Sequence, residues 1–486
     1  MDMLNKNLTS PVNRPLKVIQ FGEGNFLRGF ADYMIDIANE QGIFNGSIVM
    51  IKPRKSGSLD KFHEQDCQYT VSLRGLVDNQ ATVSDRIIRS VADVLSAYTD
   101  YEKYMKLAEV NTLRFVLSNT TEAGIVFDDS DKFELNPPET FPGKLTKFLY
   151  HRFKFFHGAA DKGLIMLPAE LIDDNGIQLK NCVLQFIDLW NLGKDFKNWV
   201  EKYCIFTSTL VDRIITGYPK EQEQEEWERL GYIDHCLVTG EPFGLWVIES
   251  EKDIRKEFPL PEAGLPVIYT NNLKPYKQRK VRILNGAHTS FVPASYLMGN
   301  DFVKESMDDP DVRNFMLKTL YEEVIPTLTL PKETLDSFAD AVLSRFNNPY
   351  VKHALLSISL NSVSKWRTRC LPSLLGCFEQ TGNLPACLTF SLAALIAFYS
   401  GSEIKNGALI GHRNSEAYEI KDDPAILKFF QNASGMPSDK LVKCFLEKEE
   451  FFGTDLNRIP GLADKAASYL DDIRTHGMRN ALCRII

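Results

Sequence analysis

The stretch Leu16-Lys17-Val18-Ile19-Gln20-Phe21-Gly22-Glu23-Gly24-Asn25-Phe26-Leu27-Arg28-Gly29 decides the fold. An apolar, strand-like run passes through Gly-x-Gly into a helix-like segment that reaches about Asn39, giving the strand, tight turn and helix of a dinucleotide-binding unit. In such a unit Gly22 permits the turn and Gly24 lets the backbone approach a pyrophosphate. The helix N-terminus adds amide donors and the positive end of its dipole. Phe21, Gly22, Gly24, Asn25, Phe26 and Arg28 are therefore the candidate cofactor contacts. Leu27 stands where the full fingerprint has its third glycine, and a lone Gly-x-Gly also occurs in ordinary loops.

The next apolar run, Ser47 to Ile51, fits a second parallel strand at the expected distance. It ends in Lys52-Pro53-Arg54-Lys55, where an NAD-specific enzyme usually offers a carboxylate to the ribose, so these residues leave NAD and NADP both open. Leu113 to Glu122 reads as a buried strand ending in small polar residues. Ligands of open α/β sheets lie beyond the carboxyl ends of the strands, which adds Asn119, Thr120 and Glu122 to the cofactor set.

Further strands are predicted at Gly163 to Pro168 and Tyr203 to Thr207, alternating with helical runs up to about residue 270. Such alternation predicts a doubly wound parallel sheet with helices on both faces. The acidic run Glu221 to Glu226 reads as the solvated face of a helix. After the proline-rich turn Phe258 to Pro266 and a short strand at Val267 to Thr270, the pattern becomes helical. Helices are predicted over Val312 to Ile325, Leu335 to Arg345, Val351 to Leu360, Leu388 to Tyr399 and Leu462 to His476. The expected architecture is α/β, with a Rossmann-type domain over 1–273 and a mostly α-helical domain over 274–486.

The helical part opens with Lys280-Val281-Arg282-Ile283-Leu284-Asn285-Gly286-Ala287-His288. At roughly 100° per residue, Lys280, Asn285 and His288 fall within about 140° of one another on a helix, and all lean toward its N-terminus. An amine, an amide and an imidazole so placed can handle a carbonyl and its proton without a metal. A solvated lysine, a helix-interrupting Asn-Gly and a surface histidine would give the same letters. An unperturbed lysine has a pKa of about 10.4, so proton transfer near neutrality asks for burial or nearby cations, here Arg279 and Arg282. Tyr276-x-x-x-Lys280 matches the spacing of short-chain dehydrogenases, but it lies too far from the glycine turn for that family.

With 486 residues, 44% of them hydrophobic, the chain can bury more than one core. A net charge of -8 offers no basic field to nucleic acid. Nine scattered cysteines without a Cys-x-x-Cys pair read as reduced thiols rather than a disulfide frame or a zinc site. The N-terminal residues have no apolar core of signal-peptide length, and Leu388 to Tyr399 is too short for a bilayer, so a cytoplasmic protein without a membrane partner is expected.

These motifs together resemble the polyol-specific long-chain dehydrogenases, the mannitol dehydrogenase family. The resemblance also runs through Ser118 to Gly124, Ser208 to Ile214, Lys274 to Lys277, Arg345 to Tyr350 and Leu384 to Phe390. It implies zinc-independent hydride transfer with NAD, with Lys280 as general acid and base and Asn285 and His288 as its partners at the substrate oxygen. Within the family the motifs are most like those of members acting on sugar acids, which implies reversible reduction of D-tagaturonate to D-altronate in hexuronate breakdown. Fructuronate or a mannitol-type polyol is the alternative substrate, and a noncatalytic dinucleotide-binding interaction protein the more distant reading. A uronate needs a cation for its carboxylate, for which Arg345 is the first candidate, with Lys365 and Arg367 behind it. Ser208 stands where the polyol enzymes have an active-site amide, so it is a substrate-side position without an inherited role. No metal ligand set is expected.

Overall fold

The computed structural model describes residues 1–10, 12–77, 80–121, 123–414 and 416–486. The chain divides into two compact units, Met1–Leu273 and Lys274–Ile486. The first is built on a six-stranded sheet of β1 (Leu16–Phe21), β2 (Ser47–Lys52), β3 (Val91–Ser96), β4 (Phe115–Ser118), β5 (Ile165–Pro168) and β6 (Ile205–Phe206). Their order is β3-β2-β1-β4-β5-β6, parallel at every pairing. A sheet covered on both faces needs strands that are apolar at nearly every position. Val18, Ile48, Met50, Phe115 and Leu117 enter the core on one face. Ile19, Phe21, Val49, Ile51 and Val116 enter the core on the other.

The helical run after the glycine turn extends from Asn25 to Glu40 with a π-helical stretch, Arg28–Asp32, in its middle. Leu27, in the third-glycine position, is buried in the core. The close packing that a third glycine provides occurs instead at Gly29, where an added Cβ would come within 2.7 Å of Ile215 and 3.1 Å of Val238.

Two smaller sheets of this unit are foreshadowed in the sequence only by the expected strand at Val267–Thr270. One joins Ile215–Gly217, Val238–Gly240, Tyr69–Val77 and Gln80–Ile88; the other joins Val267–Thr270, Leu245–Glu249 and Ser208–Asp212. Three-residue strands carry no readable period, and Gln80–Ile88 is largely exposed. The acidic run is mostly solvated as expected, except that Glu226 turns inward onto Arg74 and Arg229.

Gly176 lies in the first turn of the helix Asn175–Leu189, and an added Cβ would lie 2.0 Å from the Thr207 carbonyl oxygen. Asn175 beside it donates to the Pro168, Glu170 and Thr209 carbonyls and accepts from the Thr209 amide, so the helix end cannot move away. A rigid backbone clash in a pinned joint exceeds what small rotamer shifts absorb. Gly176→Ala is expected to lower unfolding stability by about 3 kcal/mol, read from urea midpoints; an unchanged midpoint would show that the joint gives.

The second unit is mainly helical. Lys332–Phe346, Ala386–Phe398 and Leu462–His476 match expected helices. The single α-helix expected over Val312 to Ile325 is instead an α-helix, Pro310–Lys318, that runs into a π-helical stretch, Thr319–Val324. Over Val351 to Leu360 the expectation fails, because only Leu355–Ile358 is helical there. A three-stranded antiparallel sheet, Gly401–Lys405, Ala408–Arg413 and Glu416–Ile420, accompanies the helices of this mostly helical unit. Ala386–Phe398 is buried on nearly all sides, which accounts for its apolar sequence. Among the described residues no helix is long and apolar enough to cross a membrane. The nine cysteines are free thiols, six of them buried.

Candidate functional site

In the first unit the strand order reverses between β1 and β4, and ligands of doubly wound sheets bind at that point. The Gly22–Gly24 turn and the Asn119–Thr120 segment both leave the sheet there. Gly22 has φ +119°, in the left-handed region, and an added Cβ would meet the Asn119 carbonyl at 3.2 Å. Gly24 caps the helical run without a side-chain cap, and an added Cβ on it would meet nothing within 4 Å. The turn thus leaves open space and uncapped amides at a helix start, which fits a pyrophosphate.

The other cofactor candidates divide. Phe21 packs edge-on against Tyr104 and beside Phe141 in the core, so only its backbone faces the turn. Arg28 is buried and spent on the fold: it donates to the Glu23 and Cys236 carbonyls and to Asn25 Oδ1, and lies over the Phe62 and Tyr69 rings. These contacts tie its guanidinium to the protein's own groups. Phe26 stacks on Phe30 at 5.1 Å, and Asn25 is exposed. Asn119 donates to the Ala169 carbonyl at 2.7 Å. Glu122 lies outside the described residues.

Glu170 is a residue that the sequence did not single out. Buried just after β5, its carboxylate accepts from Ser118 Oγ at 3.1 Å and from the Thr120 amide and hydroxyl at 3.0 Å each. Burial pushes its pKa up while these donors pull it down. It holds the end of β4 in place, a role without any local sequence signal. Lys52, at the end of β2, is buried, and its amine donates to the carbonyls of Lys55, Ser56 and Gly57. It therefore shapes the loop that follows.

In the second unit the helix carrying Lys280 is continuous from Lys274–Arg279 through a π-helical stretch, Lys280–Asn285, into Gly286–Leu297. A π-turn takes about one more residue per turn than an α-turn, which swings Asn285 back toward the Lys280 side and leaves the three groups within roughly 60°. The sequence reading, made on α-helical periodicity, spread them more widely. Gly286 is needed for packing: an added Cβ would lie 3.3 Å from the Arg369 carbonyl. The Asn-Gly pair is thus a docking point for the segment that carries Arg369, within an unbroken helix.

His288 is buried and packs at a tilt against Phe346, ring centroids 4.1 Å apart, and its Nε2 has no hydrogen-bond partner among the described residues. Burial, reinforced by His353, Arg345, Arg369 and Lys365, holds its pKa well below the ordinary value, so the ring is neutral near pH 7. Arg282 donates to Ser373 Oγ at 2.7 Å and Thr327 Oγ1 at 3.0 Å, which fixes its guanidinium on those partners. Arg279 is buried, its guanidinium 4.3 Å from the Phe338 ring centroid.

Of the carboxylate candidates, Arg345 and Lys365 act electrostatically on His288. Arg367 is exposed and turned onto Gly453, where an added Cβ would lie 2.8 Å from its Nη2. Ser208 is buried at the start of Ser208–Asp212 in the first unit. Among the described residues one group of three metal-ligand types, His63, Cys67 and Asp93, has its donor atoms within 4.8 Å of one another. None of these was a candidate in the sequence.

A glycine turn at the switch point of a 3-2-1-4-5-6 sheet, joined to a helical unit carrying a lysine, an amide and an imidazole, defines a nicotinamide-type dehydrogenase scaffold. The chain belongs to the mannitol dehydrogenase family and is an oxidoreductase: the model of the mannitol dehydrogenase Rossmann domain matches residues 16–261, and that of the mannitol dehydrogenase C-terminal domain residues 272–474. It is 45% identical to altronate oxidoreductase of Enterobacter sp. (strain 638) and 44% identical to that of Escherichia coli (strain K12), in each case over 99% of both chains. Its fold is similar to that of D-sorbitol dehydrogenase in substrate-free form, with a TM-score of 0.80 and 21% identity over 99% of this chain and 100% of that one. It is also similar to Pseudomonas fluorescens mannitol 2-dehydrogenase, solved as a ternary complex with NAD and D-mannitol, with a TM-score of 0.68 and 22% identity over 100% and 99% of the two chains.

Proposed function

We propose that the protein catalyses the reversible, NAD(H)-dependent reduction of D-tagaturonate to D-altronate. The full-length identity with altronate oxidoreductases carries the choice of substrate. The convergence of Lys280, Asn285 and His288 on one strip of a π-interrupted helix supports the chemistry.

The first unit, 1–273, holds the dinucleotide through the Gly22–Gly24 turn, the helix start at Asn25 and Phe26, and the Asn119–Thr120 segment. When bound there, the reduced cofactor would supply the hydride for the ketone carbon. The second unit, 274–486, handles the oxygen. Lys280 gives its ammonium proton to that oxygen as charge builds on it and takes the proton back in the direction of oxidation. The Asn285 amide donates to the same oxygen, where fixed donors stabilise the developing alkoxide. His288, neutral and with Nε2 left over by the protein's own hydrogen bonds, pairs with the oxygen or the neighbouring hydroxyl and so orients the sugar acid. A lysine proton donor makes the step independent of zinc.

The test is nicotinamide absorbance with D-tagaturonate, D-fructuronate and D-fructose side by side, each with NADH and with NADPH, before and after a strong chelator. Fastest turnover on D-tagaturonate with NADH, unaffected by chelation, is expected. Preference for another substrate would reject the substrate assignment, and loss on chelation would reject the zinc-independent step.

A further inference from the structure

The helix Ser362–Arg369 carries three cations, Lys365, Arg367 and Arg369. Lys365 and Arg369 are i, i+4 neighbours on one face, and Arg367 is about 200° from each. The two faces have different surroundings. Arg367 is exposed against Gly453, whereas Lys365 and Arg369 are partly buried and act electrostatically on His288.

Arg369 Nη1 donates to Thr289 Oγ1 at 3.3 Å, one residue from His288, and its backbone carbonyl abuts Gly286. Lys365 Nζ donates to the Ile358 carbonyl at 2.9 Å. His288 also meets His353, with ring centroids 5.3 Å apart in a T-shaped contact. Burial lowers the pKa of Arg369, Lys365 and His353 alike. Asp422 offsets this for Lys365, and for Arg369 the opposing influence is the Cys370 thiol.

Desolvated cations gathered around a neutral imidazole cost free energy unless an anion joins them. A guanidinium is also the side chain best matched to a carboxylate, which it can hold through two parallel hydrogen bonds. We infer that Arg369, with Lys365 one helical turn away, is the receptor for the carboxylate of the substrate and sets the preference for sugar acids over neutral sugars. The inference rests on the reading of the substrate as a sugar acid and names the residues that select it. Arg345, at the end of Lys332–Phe346, adds to the positive field around His288.

The test compares kcat/KM for D-tagaturonate and for the neutral ketose D-tagatose in wild type, Arg369→Met and Arg369→Lys. The same ratio taken from competitive inhibition by D-gluconate and by D-sorbitol covers the case in which the neutral ketose is not reduced. The acid-to-neutral ratio is expected to fall about 100-fold in Arg369→Met, mostly through KM or the inhibition constant, and less in Arg369→Lys. A ratio unchanged within about threefold, or an equal fall for both compounds, would overturn the inference while leaving the dehydrogenase reading intact. Absence of sugar-acid turnover in the wild type would instead remove the reading on which it rests.

Discussion

Lys280→Met is expected to lower kcat/KM for the sugar acid by about 10²- to 10⁴-fold, the range that a positioned proton donor contributes. Methionine keeps most of the length of the side chain and removes the proton, so packing along the helix changes little. The π-helical stretch that begins at Lys280 is held by other residues, among them Arg282 on Ser373 and Thr327. The backbone that presents Asn285 and His288 therefore survives the substitution. The loss should fall on kcat, because a proton delivered as charge develops on the oxygen stabilises the transition state more than the bound ketone. Cofactor affinity, read from nicotinamide fluorescence, should change by no more than about twofold, since the groups proposed to hold the dinucleotide are on the first unit. Near-wild-type kcat in this variant would move the proton transfer to another group. A loss confined to KM would reduce the lysine to a binding contact.

How much of this was legible in the sequence depends on the distance over which each signal acts. The β1 strand and the Gly22–Gly24 turn were readable because strand, turn and helix are adjacent in the chain. The parallel strands β2, β4 and β5 were readable because burial on both faces makes them continuously apolar. The Lys280 helix was readable as a helix, but its π-turn was not, since no residue type marks where one extra residue enters a turn. Glu170, Gly29 and Gly176 owe their importance to partners brought in by the fold, from Thr120 to Ile215 and Thr207. Arg367 and Arg369 differ only in the face of one helix turned toward His288. Spacing in the chain alone could not say which of them looks inward, because that depends on where the neighbouring helix Gly286–Leu297 packs.

The other large effect expected is on stability, at Asp32. This carboxyl is fully buried, and burial pushes its pKa from 3.8 to about 7. Tyr69 donates to its Oδ2 at 2.7 Å and Gln20 at 3.4 Å, but Oδ1 has no partner among the described residues. An unpartnered oxygen is better tolerated on a protonated carboxyl than on a carboxylate. The folded protein thus binds this proton more tightly than the unfolded chain does. The stabilisation is complete below about pH 4, is lost as pH rises toward 7, and is absent above that. A rise from 3.8 to about 7 corresponds to about 4 kcal/mol over the whole window. An asparagine at this position would mimic the neutral form at every pH, so Asp32→Asn should gain on wild type as pH rises from about 5 to 8, by about 3 kcal/mol. Urea midpoints of the two proteins across that range measure the difference, and the background titration of other groups cancels between them. Gln20 also donates to the Gly22 carbonyl at 3.1 Å, so the charge on Asp32 stands one side chain away from the glycine turn. Parallel stability profiles would mean that the carboxylate stays ionised, with the nearby Arg28 charge outweighing burial.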